Sequence, residues 1–159
     1  MSELRDVMPR ALRLLLMGTL ILGLTGTVAE LLLLEHFEGL SQYIPIVLIG
    51  TALLALLVHA VGRSRATVRL IQGTMWAFVL SGLIGTWLHY KGNADFELEL
   101  EPTIAAWKLF RMSMMGATPV LAPGTMIQLG LIGLAWSFRH PALGSSAVSP
   151  SPPYPEAAP

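Results

Sequence analysis

The sequence predicts an all-α integral membrane protein, a bundle of four transmembrane helices with an outer loop. Hydrophobic residues make up 53% of the 159 residues and charged residues only 13%, a balance typical of polytopic membrane proteins. Most of the four long apolar stretches carry no charge for about 18 residues or more, which is the length that crosses a bilayer. The four predicted spans therefore account for most of the residues, which leaves room for one small helical bundle.

The four predicted spans cover residues 12–34, 43–61, 70–90 and 120–138, within a membrane domain of residues 1–140. The first stretch has an alternative interpretation. Basic residues, an apolar run and a "TVA" sequence also fit a signal peptide that is cleaved after Ala29. Because the run stays apolar beyond that point, where a mature N-terminus normally turns polar, a retained span is the better interpretation.

Lysine and arginine are unevenly distributed between the two ends of these spans. By the positive-inside rule, the more basic end faces the cytoplasm, so we expect both termini to be cytoplasmic. The small loops and compact bundle favour a bacterial cytoplasmic membrane. The basic residues of the cytoplasmic end are Arg5, Arg10, Arg13, Arg63, Arg65, Arg69 and Arg139, and those of the outer end are Lys91, Lys108 and Arg111.

Two segments lie outside the predicted spans. The outer loop, residues 91–118, begins with a turn signal, "KGNAD", and continues as "FELELE", whose period-two alternation favours an extended segment. The later part, "TIAAWKLFRMSMMGA", predicts a short amphipathic helix in the plane of the membrane interface. The Pro/Ser-rich tail, residues 141–159, is predicted to be a disordered cytoplasmic end.

Small residues recur at every fourth position in three spans and lead to an ionisable residue in each. Such stripes favour close packing between membrane helices. The spacing therefore predicts that Glu30, His59 and His89 face the inside of the bundle. His59 lies near the cytoplasmic end, together with His140, whereas Glu30 and His89 lie towards the outer end.

The outer group is the candidate site, because a carboxylate below the membrane interface usually has a partner or a function. Glu30, His36 and His89 offer ligands for a divalent metal. The two histidines also suit the axial positions of a haem, and the group suits a redox site or a proton relay. The alternative is that Glu30 snorkels to water from the end of its helix and that no site exists.

The sequence also limits the classes of function. The absence of cysteine excludes disulfides and thiolate metal sites, zero net charge gives no basic field for nucleic acid, and no hydrolase constellation is visible. We therefore expect a non-catalytic accessory or assembly subunit of a membrane complex that requires no cofactor, although a transition metal or haem remains an alternative. A proton-coupled small transporter using Glu30 is a third hypothesis. The expected partners are the bilayer and other membrane subunits, or a second copy bound through small-residue helix faces.

Overall fold

The computed structural model describes residues 8–35 and 39–144, and the regular structure within them is entirely helical. Three helices are long and apolar enough to cross a membrane. They are α1 (Arg10–Leu33), α2 (Tyr43–Gly62) and α3 (Arg65–Leu100). A single 3-10 turn, Leu40–Gln42, precedes α2, and three shorter helices follow α3, namely α4 (Ala106–Met114), α5 (Gly124–Ser137) and the one-turn α6 (Pro141–Gly144).

The first two helices agree with the predicted spans to within a few residues, whereas the last apolar stretch is shorter than predicted. α5 begins at Gly124 instead of residue 120, because Pro119 and Pro123 hold the preceding residues in turns, where Ala122 N–H donates to the Pro119 carbonyl at 3.2 Å. Its 14 residues rise about 21 Å. The predicted disordered tail also begins differently, since residues 141–144 are helical and the rest of that tail lies outside the described residues.

The third helix is much longer than the span predicted over 70–90. α3 continues through the predicted turn at 91–95 and through the predicted extended segment at 96–101 almost to its end, so both of these predictions are wrong. Glutamate and leucine are strong helix formers. Lys91 also pairs with Asp95 one turn later, which supports a helix in this segment.

Asn93 explains why the turn signal was misleading. Its side-chain amide donates to the backbone carbonyls of Ser113 and Thr118, each at 2.8 Å, and its carbonyl oxygen accepts from the Thr118 N–H at 3.2 Å. Asparagine favours turns when its side chain bonds to nearby backbone, but here the side chain bonds to backbone some 20 or more residues away. The buried Asn93 therefore ties α4 and the residues after it to α3.

Replacing Asn93 with alanine is expected to lower the free energy of unfolding by about 2 kcal/mol, because the buried carbonyl of Ser113 and the partly buried backbone groups of Thr118 lose their partners. Equilibrium unfolding in mixed micelles measures this loss. Gln128→Ala is the control, since Gln128 is exposed on α5. Equal stabilities for the two variants would show that the Asn93 hydrogen bonds contribute nothing.

Glycines bring α3 and α5 into close contact, and this is the most extensive helix pair in the described structure. A Cβ added to Gly82 would lie 2.8 Å from the carbonyl oxygen of Pro123, at the start of α5. A Cβ added to Gly130, further along α5, would lie 2.7 Å from the carbonyl oxygen of Met75, which precedes Gly82 on α3. The two helices therefore run antiparallel with their backbones close together.

The core lies where α2 and α5 meet α3 and where α1 meets α5. α1 contributes little to it, since Leu20 and Leu24 are its only buried residues. Most other large side chains of α1 are exposed and available to lipid or to a partner. The buried core cluster comprises Leu20, Leu24, Ile49, Ala52, Ala55, Leu56, Ile71, Met75, Phe78, Met126, Leu129 and Trp136.

Candidate functional site

The structure does not place Glu30 inside the bundle, so this prediction is wrong. Glu30 is exposed on α1. The face of α1 that packs is marked by Leu20 and Leu24 and by Gly23, which lies against the side chain of Leu129. Glu30 follows Leu24 by six residues, which at about 3.6 residues per turn places it about a third of a turn from Leu24 around the helix. It lies on nearly the same side as Gly23, seven residues earlier, but it is exposed because the packing of α1 that buries Leu20 and Leu24 does not cover it.

The predicted inward orientation of His89 is correct in part. The stripe that leads to it does face α5, since a Cβ on Gly85 would lie 2.8 Å from the side chain of Pro123. His89 is half-buried, and its Nδ1 lies 2.9 Å from the carbonyl oxygen of Pro119. This hydrogen bond attaches the residues that lead into α5 to α3, so His89 has a structural contact at the outer end of the stripe.

The structure does not assemble the predicted outer metal site from the residues that it describes. His36 lies outside residues 8–35 and 39–144. Within those residues, no three His, Asp or Glu side chains come together as metal ligands would. The proposed metal, haem or proton site of Glu30, His36 and His89 therefore stays a prediction.

A different group of ionisable side chains assembles at the opposite end of the bundle. We call Arg13, His59, Trp136 and His140 the basic–aromatic cluster. The ring centroid of His59 lies 5.4 Å from that of Trp136 and 5.0 Å from that of His140, in each case nearly edge to face. The rings of Trp136 and His140 lie 4.8 Å apart. His59 and Trp136 are buried, as the small-residue spacing predicted for His59.

The four side chains of the cluster lie together because the ends of α1, α2 and α5 meet at this end of the bundle. Arg13 lies in the first turn of α1, His59 in the last turn of α2, and Trp136 beside the end of α5. His140 follows α5 and precedes α6, and its Nδ1 accepts the Ala142 N–H at 3.2 Å. A neutral His140 with Nδ1 as an acceptor carries its proton on Nε2, so Nε2–H is a donor.

Residues between α2 and α3, and at the start of α3, determine the orientation of the His59 ring. Ser64 caps α3 by accepting the Thr67 N–H at 3.2 Å, and the Thr67 hydroxyl donates to the Ser64 carbonyl at 2.8 Å. The Thr67 oxygen is then an acceptor for His59 Nδ1, which lies 2.7 Å away. His59 therefore donates from Nδ1, and in the neutral ring its Nε2 carries the lone pair.

Within the described residues, only one of the two terminal nitrogens of Arg13 forms a hydrogen bond. Its Nη1 donates to the Trp136 carbonyl at 3.0 Å, at the C-terminal end of α5, where a cation is favoured by the helix dipole. Its Nη2 is buried and has no hydrogen-bond partner among the described residues. A buried donor without an acceptor costs about 1–3 kcal/mol.

Burial and the neighbouring charges of Arg13 and His59 lower the pKa of His140 from 6.5 to about 4. Below about pH 6.5 the unfolded chain binds a proton here before the folded protein does. The contribution of His140 to stability is therefore complete above that pH and is lost as the pH falls towards about 4. Solvent screening reduces its size, because the side chain is only half-buried.

The pH dependence has a direct test in the variant His140→Asn. Asparagine keeps an acceptor for the Ala142 N–H, as a helix N-cap does, but it does not titrate. Melting temperatures measured between pH 7.5 and pH 4.5 are expected to fall less steeply for the variant than for the wild type. Parallel curves would mean that His140 does not contribute to the acid sensitivity.

The sequence contains one signal for this cluster. The predicted topology places His59 and His140 at the cytoplasmic end, and Arg13 lies at the same predicted depth, at the start of the first span. Nothing in the spacing indicated that Trp136 would pack against both histidines or that its carbonyl would accept from Arg13. Those contacts depend on how α1 packs against α5.

Comparison of the chain with protein-family models, with curated proteins and with solved structures finds no match.

Proposed function

We propose that this chain is a non-catalytic accessory or assembly subunit of a membrane complex, and that it contacts its partner through the end of α3. In this proposal α1, α2, α3 and the shorter α5 cross a bacterial cytoplasmic membrane, with both termini in the cytoplasm. Three helices of sufficient length and apolar composition support insertion. The arginines at the start of α1 and between α2 and α3 support the orientation.

The length of α3 is the observation that carries the proposal. If the hydrocarbon core begins at Leu70, just after Arg69, about 20 residues bring the helix to Tyr90 at roughly 30 Å, the thickness of the core. α3 continues to Leu100. We call residues 91–100 the outer extension, which adds about 15 Å beyond the core and so passes the headgroup region.

The outer extension exposes large apolar side chains where hydrocarbon would not cover them. Phe96 is 58% exposed and Leu100 is 67% exposed, and residues four apart share one face of a helix. An exposed apolar face outside the bilayer is typical of a protein interaction site. The acidic side chains between them, Glu97 and Glu99, keep the segment soluble without covering that face.

α4 and the salt bridge beside it hold the outer extension in one position. Lys108 of α4 pairs with Glu101, at the end of α3, at 2.5 Å, and the Asn93 hydrogen bonds lie about two turns nearer the membrane. α4 therefore returns along α3. Its Trp107 is 73% exposed and stacks on Phe110 with 5.5 Å between ring centroids, which adds aromatic surface next to the apolar face. A rigid surface of this kind loses little conformational entropy on binding.

The partner that fits this surface is a second membrane subunit, because α3 places its apolar face within reach of other proteins anchored in the same bilayer. Site-specific photocrosslinking in native membranes tests this. A photoreactive residue at Leu100 is compared with one at Leu57, a position on α2 with a similar exposure of 64% but within a predicted span.

The proposal predicts one discrete protein adduct from Leu100 and none from Leu57, with the partner identified by peptide mass spectrometry. An adduct between two copies of this chain would replace the partner subunit with self-association, the other interaction that the sequence suggests. If Leu100 yields no protein adduct in membranes that contain the intact complex, the outer extension is not a docking surface and the proposal fails.

A further inference from the structure

We infer that the basic–aromatic cluster is a binding site for a phosphate group at the cytoplasmic end of the bundle, with Arg13 and His140 as its hydrogen-bond donors. The site is distinct from the outer extension and does not depend on the partner proposed there. Four observations support it, namely an unpaired donor, a second donor beside it, an excess of positive charge and the depth of the cluster.

The unpaired donor is Nη2 of Arg13. Its neighbour Nη1 donates to the Trp136 carbonyl, whereas Nη2 is buried and has no acceptor among residues 8–35 and 39–144. Guanidinium groups bind phosphate oxygens with charge-assisted hydrogen bonds, which are stronger than bonds between neutral groups. An oxygen that reaches Nη2 would remove the cost of burying this donor unpaired.

The second donor is Nε2–H of His140. Because His140 Nδ1 accepts the Ala142 N–H, the neutral ring keeps its proton on the other nitrogen. Trp136 links the two donors, because its carbonyl accepts from Arg13 Nη1 at 3.0 Å and its ring centroid lies 4.8 Å from that of His140. Both side chains are partly exposed, so neither donor residue is sealed inside the bundle.

The described residues offer no anion at this end of the bundle. Every carboxylate within residues 8–35 and 39–144 lies from Glu30 to Glu35 or from Asp95 to Glu101, which is the outer end. The charged side chains at the cytoplasmic ends of α1, α2 and α3 are all basic, namely Arg10, Arg13, Arg63, Arg65 and Arg69. Such a field attracts anions and concentrates them near the cluster.

The position of the cluster along α1 favours phosphate over other anions as the ligand. Arg13 lies within one turn of the start of α1, which is the level of the headgroups if α1 spans the membrane. Anionic lipid phosphates are concentrated at the cytoplasmic surface and are attracted to basic side chains there. A soluble phosphate offers the same oxygens, so the experiment must distinguish the two sources.

Binding is measured on the full-length protein in a neutral maltoside detergent with three probes. Dioctanoyl phosphatidylglycerol carries both phosphate and chains, inorganic phosphate carries no chains, and dioctanoylglycerol carries no phosphate. Native mass spectrometry counts bound lipid, and calorimetry gives affinities. We expect the phosphatidylglycerol affinity to fall about 10-fold or more in Arg13→Gln, in line with the loss of charge-assisted hydrogen bonds.

The matched control is Arg139→Gln, because Arg139 is an exposed cation at the same end whose guanidinium lies over the ring of Phe138. Its loss is expected to change the affinity by less than about threefold, as for a surface charge. If Arg13→Gln does not fold, Arg13→Lys replaces it. Lysine keeps the charge but lacks the second donor, so weaker binding than wild type is again expected.

The three probes distinguish a lipid phosphate from a soluble phosphate, and they show whether binding needs a phosphate at all. Binding of phosphatidylglycerol alone identifies a lipid headgroup site, and binding of inorganic phosphate as well identifies a site open to soluble phosphate. Either result supports the inference. Equal binding of dioctanoylglycerol, or equal phosphatidylglycerol binding by wild type and both variants of Arg13, would overturn it, because neither phosphate nor Arg13 would then matter.

Discussion

Replacing Trp136 with alanine is expected to lower the free energy of unfolding by about 3–5 kcal/mol, the usual cost of removing a large aromatic side chain from a core. Trp136 is 3% exposed and belongs to the apolar core. It also forms the packing surface for both His59 and His140. Its removal would leave a cavity where the ends of α2 and α5 meet, and would remove the ring against which both histidines pack.

Trp107→Ala is the matched control, since it deletes the same side chain from a position that is 73% exposed. Equilibrium unfolding in mixed micelles is expected to show a change of less than about 1 kcal/mol for this variant. If Trp107→Ala is as damaging as Trp136→Ala, the end of α5 does not pack as described. In that case the geometry of the basic–aromatic cluster would also be wrong.

The second large effect is expected from Gly130→Ala, with a loss of about 3 kcal/mol. A methyl group at this position meets the Met75 carbonyl oxygen at 2.7 Å and the Phe78 Cβ at 3.2 Å. Because the carbonyl belongs to the backbone of α3, no side-chain rotation relieves the contact. The two helices must separate along the most extensive interface of the described structure.

Gly73→Ala makes the same chemical change on α3, where an added Cβ has nothing within 4 Å. Alanine favours a helix over glycine by up to about 1 kcal/mol, so this control is expected to be neutral or slightly stabilising. A similar loss of stability in both variants, measured in the same micelles, would mean that helix propensity and not the approach of α3 to α5 determines the result.

Much of the helical architecture follows from the sequence alone. A long apolar run with few charges is a helix in a bilayer because every backbone group must bond within its own segment, and α1 and α2 follow this rule closely. The stripe of Ser81 and Gly85 that ends in His89 was also informative, since Gly85 packs against Pro123 at the start of α5. Gly82, which the stripe does not include, makes the closer approach to the α5 backbone.

The features that were not predicted depend on tertiary contacts. The extension of α3 required knowing that Asn93 would bond to Ser113 and Thr118 instead of starting a turn. The outward position of Glu30 required knowing that α1 packs through Leu20 and Leu24. Spacing at every fourth residue defines a helix face but not its partner, so it was right for α3 and wrong for the end of α1.

The central claim is that α3 leaves the membrane near Tyr90, so that the outer extension stands in the outer aqueous space. The natural chain has no cysteine, so maleimide labelling of a single introduced cysteine measures the accessibility of that position alone. We would label Glu99→Cys, Leu83→Cys and Arg65→Cys in sealed cells with a membrane-impermeant maleimide. The prediction is that position 99 reacts from outside, position 65 reacts only after permeabilisation, and position 83 reacts only in detergent. If position 99 is protected in the way that position 83 is, α3 does not leave the bilayer and the exposed apolar residues of the outer extension face lipid.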